Sequence, residues 1–158
     1  MGIFDFIKDI GRKLDFDRDD EKRDDAGKVL EERMKGNALM RLVRDLDLEV
    51  ERLRIDFDDG TATVSGVAPS QAVREKVVLA VGNTAGVARV DDRMTVETPE
   101  PEATFYTVES GDSLSKIAKE HYGDAMKYPV IFEANKPMLS DPDKIYPGQV
   151  LRLPVLAD

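Results

Sequence analysis

The chain has 158 residues, 41% of them hydrophobic and 35% charged, which suits one medium domain or two small ones, each with a buried core. A formal charge of −9 and a pI near 4.7 argue against nucleic acid as a partner, because a phosphate-gripping surface needs clustered Lys and Arg. There is no cysteine, which removes disulfides, thiolate zinc sites and cysteine nucleophiles.

The opening, MGIFDFIKDIGRKLDFDRDD, alternates apolar residues with charges and lacks both an uninterrupted apolar core and a small-residue cleavage site, so it does not read as a secretory signal. It is too short to span a bilayer, and Phe6 stands where a myristoylation pattern wants Ser or Thr. The expected address is the cytoplasm, with no membrane partner. Ile3, Phe6 or Ile7, Ile10 and Leu14 recur at spacings of three and four, predicting a short helix from about residue 3 to Gly11 that docks on the domain core. Residues 15–25 carry seven acids against three bases and read as a solvated connector or the start of the next helix.

From about Ala26 to Leu46, the residues Val29, Leu30, Met34, Leu39, Leu42, Val43 and Leu46 form one helical stripe, with a break or kink expected near Gly36-Asn37. The period then changes. Val50, Leu53, Ile55 and Phe57 lead into Asp58-Asp59-Gly60 and TATVSGV, a strand, tight turn and strand. Pro69-Ser70 opens a helix to about Val81, with Val73, Val77, Val78 and Val81 on its inner side. After GNTAG, VARVDDRMTVE reads as one more strand. TPEPEAT, residues 98–104, is the best linker and should be fairly extended. Beyond it, FYTV is a strand, Asp112 or Ser113 can cap a helix bearing Leu114, Ile117 and Ala118, Tyr122-Gly123 stops that helix, a second follows through Val130 to Ala134, and QVLRLP is a final strand.

The fold class is therefore α+β in two small units, 1–97 and 105–158 joined by 98–104. The second resembles the LysM family through Tyr106-Thr107-Val108, Gly111-Asp112-Ser113-Leu114, Ile117-Ala118, Tyr122-Gly123, Ile131, Ala134-Asn135, Pro142-Asp143 and Ile145-Tyr146-Pro147-Gly148-Gln149. That resemblance implies a shallow groove for N-acetylglucosamine-containing glycans, formed by Gly111, Asp112, Ser113 and Leu114 facing Asn135, Pro137 and Met138. Most of these letters have a structural task first, so they certify fold better than sugar binding. Without export the glycan is rarely met. The first unit resembles the BON family in its order of helix, strand, strand, helix, strand, through Asp59-Gly60, Thr61 to Val64, Gly66, Gly82-Asn83, Gly86-Val87 and Val90-Asp91-Asp92.

The opening, then BON, then LysM, is similar to a family of cytoplasmic bacterial potassium-binding proteins along the full length. The resemblance implies a potassium ion held by main-chain carbonyls of the BON half, and a change in how compactly the two domains sit. Carried over position by position, the ligands would be the carbonyls of Ile7, Ile10, Arg12, Gly82, Thr84 and Val87, with larger alkali cations as further ligands. The chemistry tolerates this. Potassium wants six or more oxygens, neutral dipoles suffice, and helix C-termini leave carbonyls unpaired at a partially negative end. By the residues alone, GNTAG reads as an ordinary helix cap and turn.

His121 has no second imidazole to share a metal with. No EF-hand spacing appears in the acidic run, and no nucleophile, base and orienter stand together, so the chain is expected not to be an enzyme and to act as a monomer. The alternative is an envelope adaptor gripping peptidoglycan through its LysM half.

Overall fold

The computed structural model of the protein describes residues 2–6 and 25–156. Its first unit is a mixed sheet carrying two helices. Strand β1 (Gly2–Asp5) is followed, after the undescribed stretch, by helix α1 (Asp25–Asp45), strands β2 (Glu51–Asp58) and β3 (Thr61–Ser70), helix α2 (Gln71–Gly82), and strands β4 (Arg89–Asp92) and β5 (Thr95–Thr98). The sheet order is β1-β4-β3-β2, with β5 also beside β3. Asp59 and Gly60 join β2 to β3 with φ of +48° and +82°, the left-handed pair that matches the twist of a tight hairpin.

Three expectations differ from what is observed. Residues 3–5 form strand, not helix: β1 runs antiparallel to β4, pairing Ile3 with Asp91 and Asp5 with Arg89. Over these few residues the apolar spacing is two, with Phe4 and Phe6 turned inward and Ile3 and Asp5 exposed. The remainder of the expected helix, residues 7–11, and the acidic run 15–24 lie outside the described residues.

Helix α1 passes through Gly36-Asn37 unbroken. A Cβ at Gly36 would lie 2.6 Å from the Ile55 carbonyl oxygen. The glycine thus serves close approach of helix to sheet, not a kink. Of the predicted stripe, Leu39 and Val43 are buried, while Val29, Leu30 and Met34 are exposed, because the sheet underlies only the second half of the helix.

The expected last strand of this unit is two. β4 runs parallel to Thr61–Val64 and β5 parallel to Val67–Ser70, both on β3. Between them Arg93 N–H donates to the Val64 carbonyl at 2.8 Å, and Met94 N–H to Asp92 Oδ1 at 3.0 Å, which tucks Met94 into the core.

The second unit pairs β6 (Thr104–Thr107) antiparallel with β7 (Val150–Leu153), with α3 (Leu114–Tyr122), a short 3-10 turn (Ala125–Lys127) and α4 (Tyr128–Ala134) between them. Ser113 Oγ accepts from Lys116 N–H at 3.2 Å and Gly123 closes α3 with φ +79°, as N-cap and left-handed C-cap. The core is Val108, Leu114, Ile117, Ala118, Ile131, Leu139, Leu151 and Leu153. Val150 faces the other way and belongs to the core of the first unit.

Candidate functional site

The predicted ligand positions in the described chain cluster at the end of α2. Its last carbonyls are largely spoken for: Asn83 N–H donates to Leu79 O at 2.9 Å, Thr84 N–H to Val81 O at 3.1 Å, and Thr84 Oγ1 to Ala80 O at 2.9 Å. The oxygens that follow belong to a tight loop. Val87 N–H returns to Thr84 O at 3.2 Å, using one of that carbonyl's two lone pairs. Gly86, at φ +88°, reverses the chain. Gly82, Thr84 and Val87 therefore share one buried loop of main-chain dipoles, at the partially negative end of a helix.

Phe6 brings the N-terminal strand to the same place. Its N–H donates to the Ala88 carbonyl at 2.8 Å, and its ring lies so close to Gly82 that a Cβ there would stand 2.1–2.3 Å from three ring carbons. Only glycine permits that approach. Ile7, Ile10 and Arg12 themselves lie outside the described residues. Among the described residues no group of three or more His, Cys, Asp or Glu is gathered to hold a metal.

The loop is also fastened to the second unit. Asn83, between two predicted ligands, turns its side-chain amide to β7, with Nδ2 donating to Val150 O and Oδ1 accepting from Val150 N–H, both at 2.9 Å. The amide mimics a neighbouring strand. Two turns back along the buried face of α2, Glu75 accepts from Arg152 Nε at 2.8 Å and from Ala103 N–H at 2.9 Å. Phe4 meets Phe105 with ring centroids 5.1 Å apart. Lys76, beside Arg152, has its pKa lowered chiefly by burial and then by that guanidinium. The nearly all-round burial of α2 from Val77 to Gly82 follows from this double contact, sheet on one side and β7 on the other.

The predicted glycan groove residues serve mostly internal bonds. Asp112 Oδ2 accepts from Tyr106 OH at 2.6 Å and Glu109 N–H at 2.9 Å, which pushes the Tyr106 pKa up. Ser113 caps α3. Gly111 turns at φ +87°. Leu114 is buried in one apolar cluster with the half-buried Met138, while Pro137 is exposed. Asn135 is 1% exposed, and its amide is consumed by Ile131 O, Arg152 O and Arg152 N–H at 2.7, 2.8 and 2.7 Å. Met138 faces the seam, where its sulfur accepts from Asn83 Nδ2 at 3.3 Å. His121, in the last turn of α3, packs edge-on against Tyr122.

Comparison with known proteins agrees with this architecture. The BON domain family model matches residues 35–98 and the LysM domain model residues 106–154. Across 155 residues, 98% of this chain and 99% of the other, the sequence is 46% identical to Potassium binding protein Kbp of Escherichia coli O6:H1. The chain belongs to that BON–LysM family. Partial likenesses reach further: 57% identity over 51 residues, 19% of its length, to an uncharacterized protein of Deinococcus radiodurans, and 49% over 51 residues, 11% of its length, to an esterase of Mycobacterium tuberculosis. So short a share carries no activity across.

In this member of the BON–LysM family, sequence reading passed over Asn83, Glu75 and Arg152 as site residues. One signal was present. Although Arg74 and Lys76 flank it, Glu75 shares its helix face with Ala72, Val78 and Leu79 at i−3, i+3 and i+4, and a carboxylate so placed needs a partner. No helix of the described residues is long and apolar enough to cross a membrane.

Proposed function

We propose that this chain is a cytoplasmic potassium-binding and sensing protein, acting as a monomer without catalysis, its BON domain (1–97) joined through 98–104 to its LysM domain (105–158). The ion is held by the main-chain carbonyls of Ile7, Ile10, Arg12, Gly82, Thr84 and Val87, and larger alkali cations compete for the same ring. The observation that carries this reading is the seating of Phe6 on Gly82, which delivers the N-terminal segment to the loop bearing the other three carbonyls. The name of the Escherichia coli relative supports it. Neutral carbonyls replace the hydration of a large monovalent ion without the formal charge that favours calcium.

Binding is coupled to domain arrangement through Asn83, since moving the loop moves the amide that grips Val150. The ion shifts the population toward the docked form by its differential affinity. Titration with potassium, sodium, calcium and magnesium, followed by amide shifts and radius of gyration, tests this: saturable shifts at Gly82–Val87 and compaction are expected with potassium alone. Equal responses to sodium and potassium would reduce the effect to screening. Normal potassium binding by a chain lacking residues 1–11 would remove the N-terminal ligands.

A further inference from the structure

A cleft of about 270 Å³ opens where the segment joining the two domains meets the first half of α2. Gln71, Arg74 and Val78, at spacings of three and four, present one face of the helix to it, Asp92 of β4 lies alongside, and Phe4, Glu102 and Phe105 complete its walls. We propose that this cleft binds a free α-amino acid with a short apolar side chain, taken up as the zwitterion. The inference stands apart from the potassium reading.

Polar groups that find no partner inside the protein decide the chemistry. Gln71 is 8% exposed, and its amide makes no hydrogen bond among the described residues. It is still within reach. The side-chain atom sealed off without a partner is Gln149 Oε1, so the Gln71 oxygen and nitrogen both keep accessible surface, and the cleft they line is where that surface opens. Arg74 is placed in the same way. Its Nε donates to Asp92 Oδ2 at 2.7 Å, Asp92 Oδ1 is taken by Met94 N–H, and the side chain is 15% exposed. The ion pair holds the guanidinium by Nε and leaves Nη1 and Nη2 unpartnered among the described residues, as paired donors suited to a carboxylate. The first turn of α2 favours a negative group at the same end.

Charge decides the other half of the ligand. Arg74 is balanced by Asp92, and Glu75 by Arg152. Glu102, exposed on the rim, is left over. A simple anion meets this surplus negative charge, and a simple amine leaves the Arg74 donors empty, whereas a carboxylate and an ammonium on one carbon satisfy both. The carboxylate accepts from Arg74 and Gln71 Nε2, while the ammonium donates to Gln71 Oε1 and Glu102. The half-buried rings of Phe4 and Phe105, with centroids 5.1 Å apart, take the apolar side chain together with Val78. The volume lies just under the usual range for drug-sized ligands, which suits an amino acid. Because both domains contribute walls, an occupant binds the docked arrangement and stabilises it.

The test uses the full chain and L-valine with two analogues that each lack one charge: isovalerate, without the ammonium, and isobutylamine, without the carboxylate. L-Valine is expected to give saturable shifts at the Gln71 side-chain amide, the Val78 methyls and the Ala103 amide. Each analogue should bind at least about tenfold more weakly, the worth of one charge-assisted hydrogen bond. Glu102→Gln, at an exposed position, should bring valine down to the level of isovalerate without weakening isovalerate itself. Gln71→Met should weaken valine by a similar factor and leave the melting temperature no lower, since it removes an unmatched amide. The proposal is overturned if valine gives no saturable shift at these groups at millimolar concentration, if either analogue matches it, or if either variant binds valine as tightly as the unaltered chain.

Discussion

Gly82 shows how one missing side chain can set a site. Its main chain is an expected ligand, and its lack of a Cβ is what lets the Phe6 ring lie flat against the helix end. Gly82→Ala keeps every carbonyl but forces the ring away, because atoms cannot approach so closely. The Phe6 end of the N-terminal strand would then be displaced from the loop, although its pairing with β4 remains, while α2 itself gains a better helix former. Potassium affinity should fall by at least about tenfold, or about 1.4 kcal/mol, in calorimetric titration, with far-ultraviolet circular dichroism of the helices unchanged. A polar side chain matters at a single residue too. Asn135, predicted for the glycan groove, is spent on the backbone of β7 and α4, so its conservative replacement by Asp would disturb the LysM fold before it disturbed any sugar.

At the scale of elements, α2 is the part that both domains share. It packs on the sheet through its valines and leaves Asn83 and Glu75 to address β7 and the linker. Replacing Asn83 by Ala strands two buried main-chain groups of Val150, each costing about 1–3 kcal/mol, and frees the loop that carries Gly82 and Thr84. The expected result is a larger radius of gyration in potassium buffer and weaker potassium binding, read by small-angle scattering and amide shifts. By linkage the loss in ion affinity equals the loss in the ion's power to dock the domains. Retained compactness in Asn83→Ala would show that the buried Glu75–Arg152 pair and the Phe4–Phe105 contact suffice alone.

For the whole molecule, ion and architecture are one equilibrium. A ligand that binds only the folded, docked form at 100 times its dissociation constant adds about 2.7 kcal/mol of stability. Denaturant unfolding in potassium should therefore show a higher midpoint than in sodium at equal ionic strength, and removal of potassium should return the two to the same value. The charge of −9 makes screening by any monovalent salt a background, which the sodium arm subtracts.

Much of this was legible before any coordinates. The Asp59-Gly60 hairpin, the Ser70 and Ser113 caps, the Gly123 stop and the end of α2 at Gly82 are local, fixed by backbone preferences over three or four neighbouring residues. They were enough to read two α+β units, whereas the 82–87 loop was singled out by the family resemblance and not by its local sequence. What needed tertiary structure was everything set by partners far along the chain. Residues 2–5 are a strand because β4 offers them an edge some ninety residues away, and Gly36 is a contact instead of a break because Ile55 lies under it. Asn83 reads as a helix end until Val150 is placed beside it. Period and cap are properties of adjacent residues, whereas register, close approach and the satisfaction of buried polar groups exist only between segments that folding brings together.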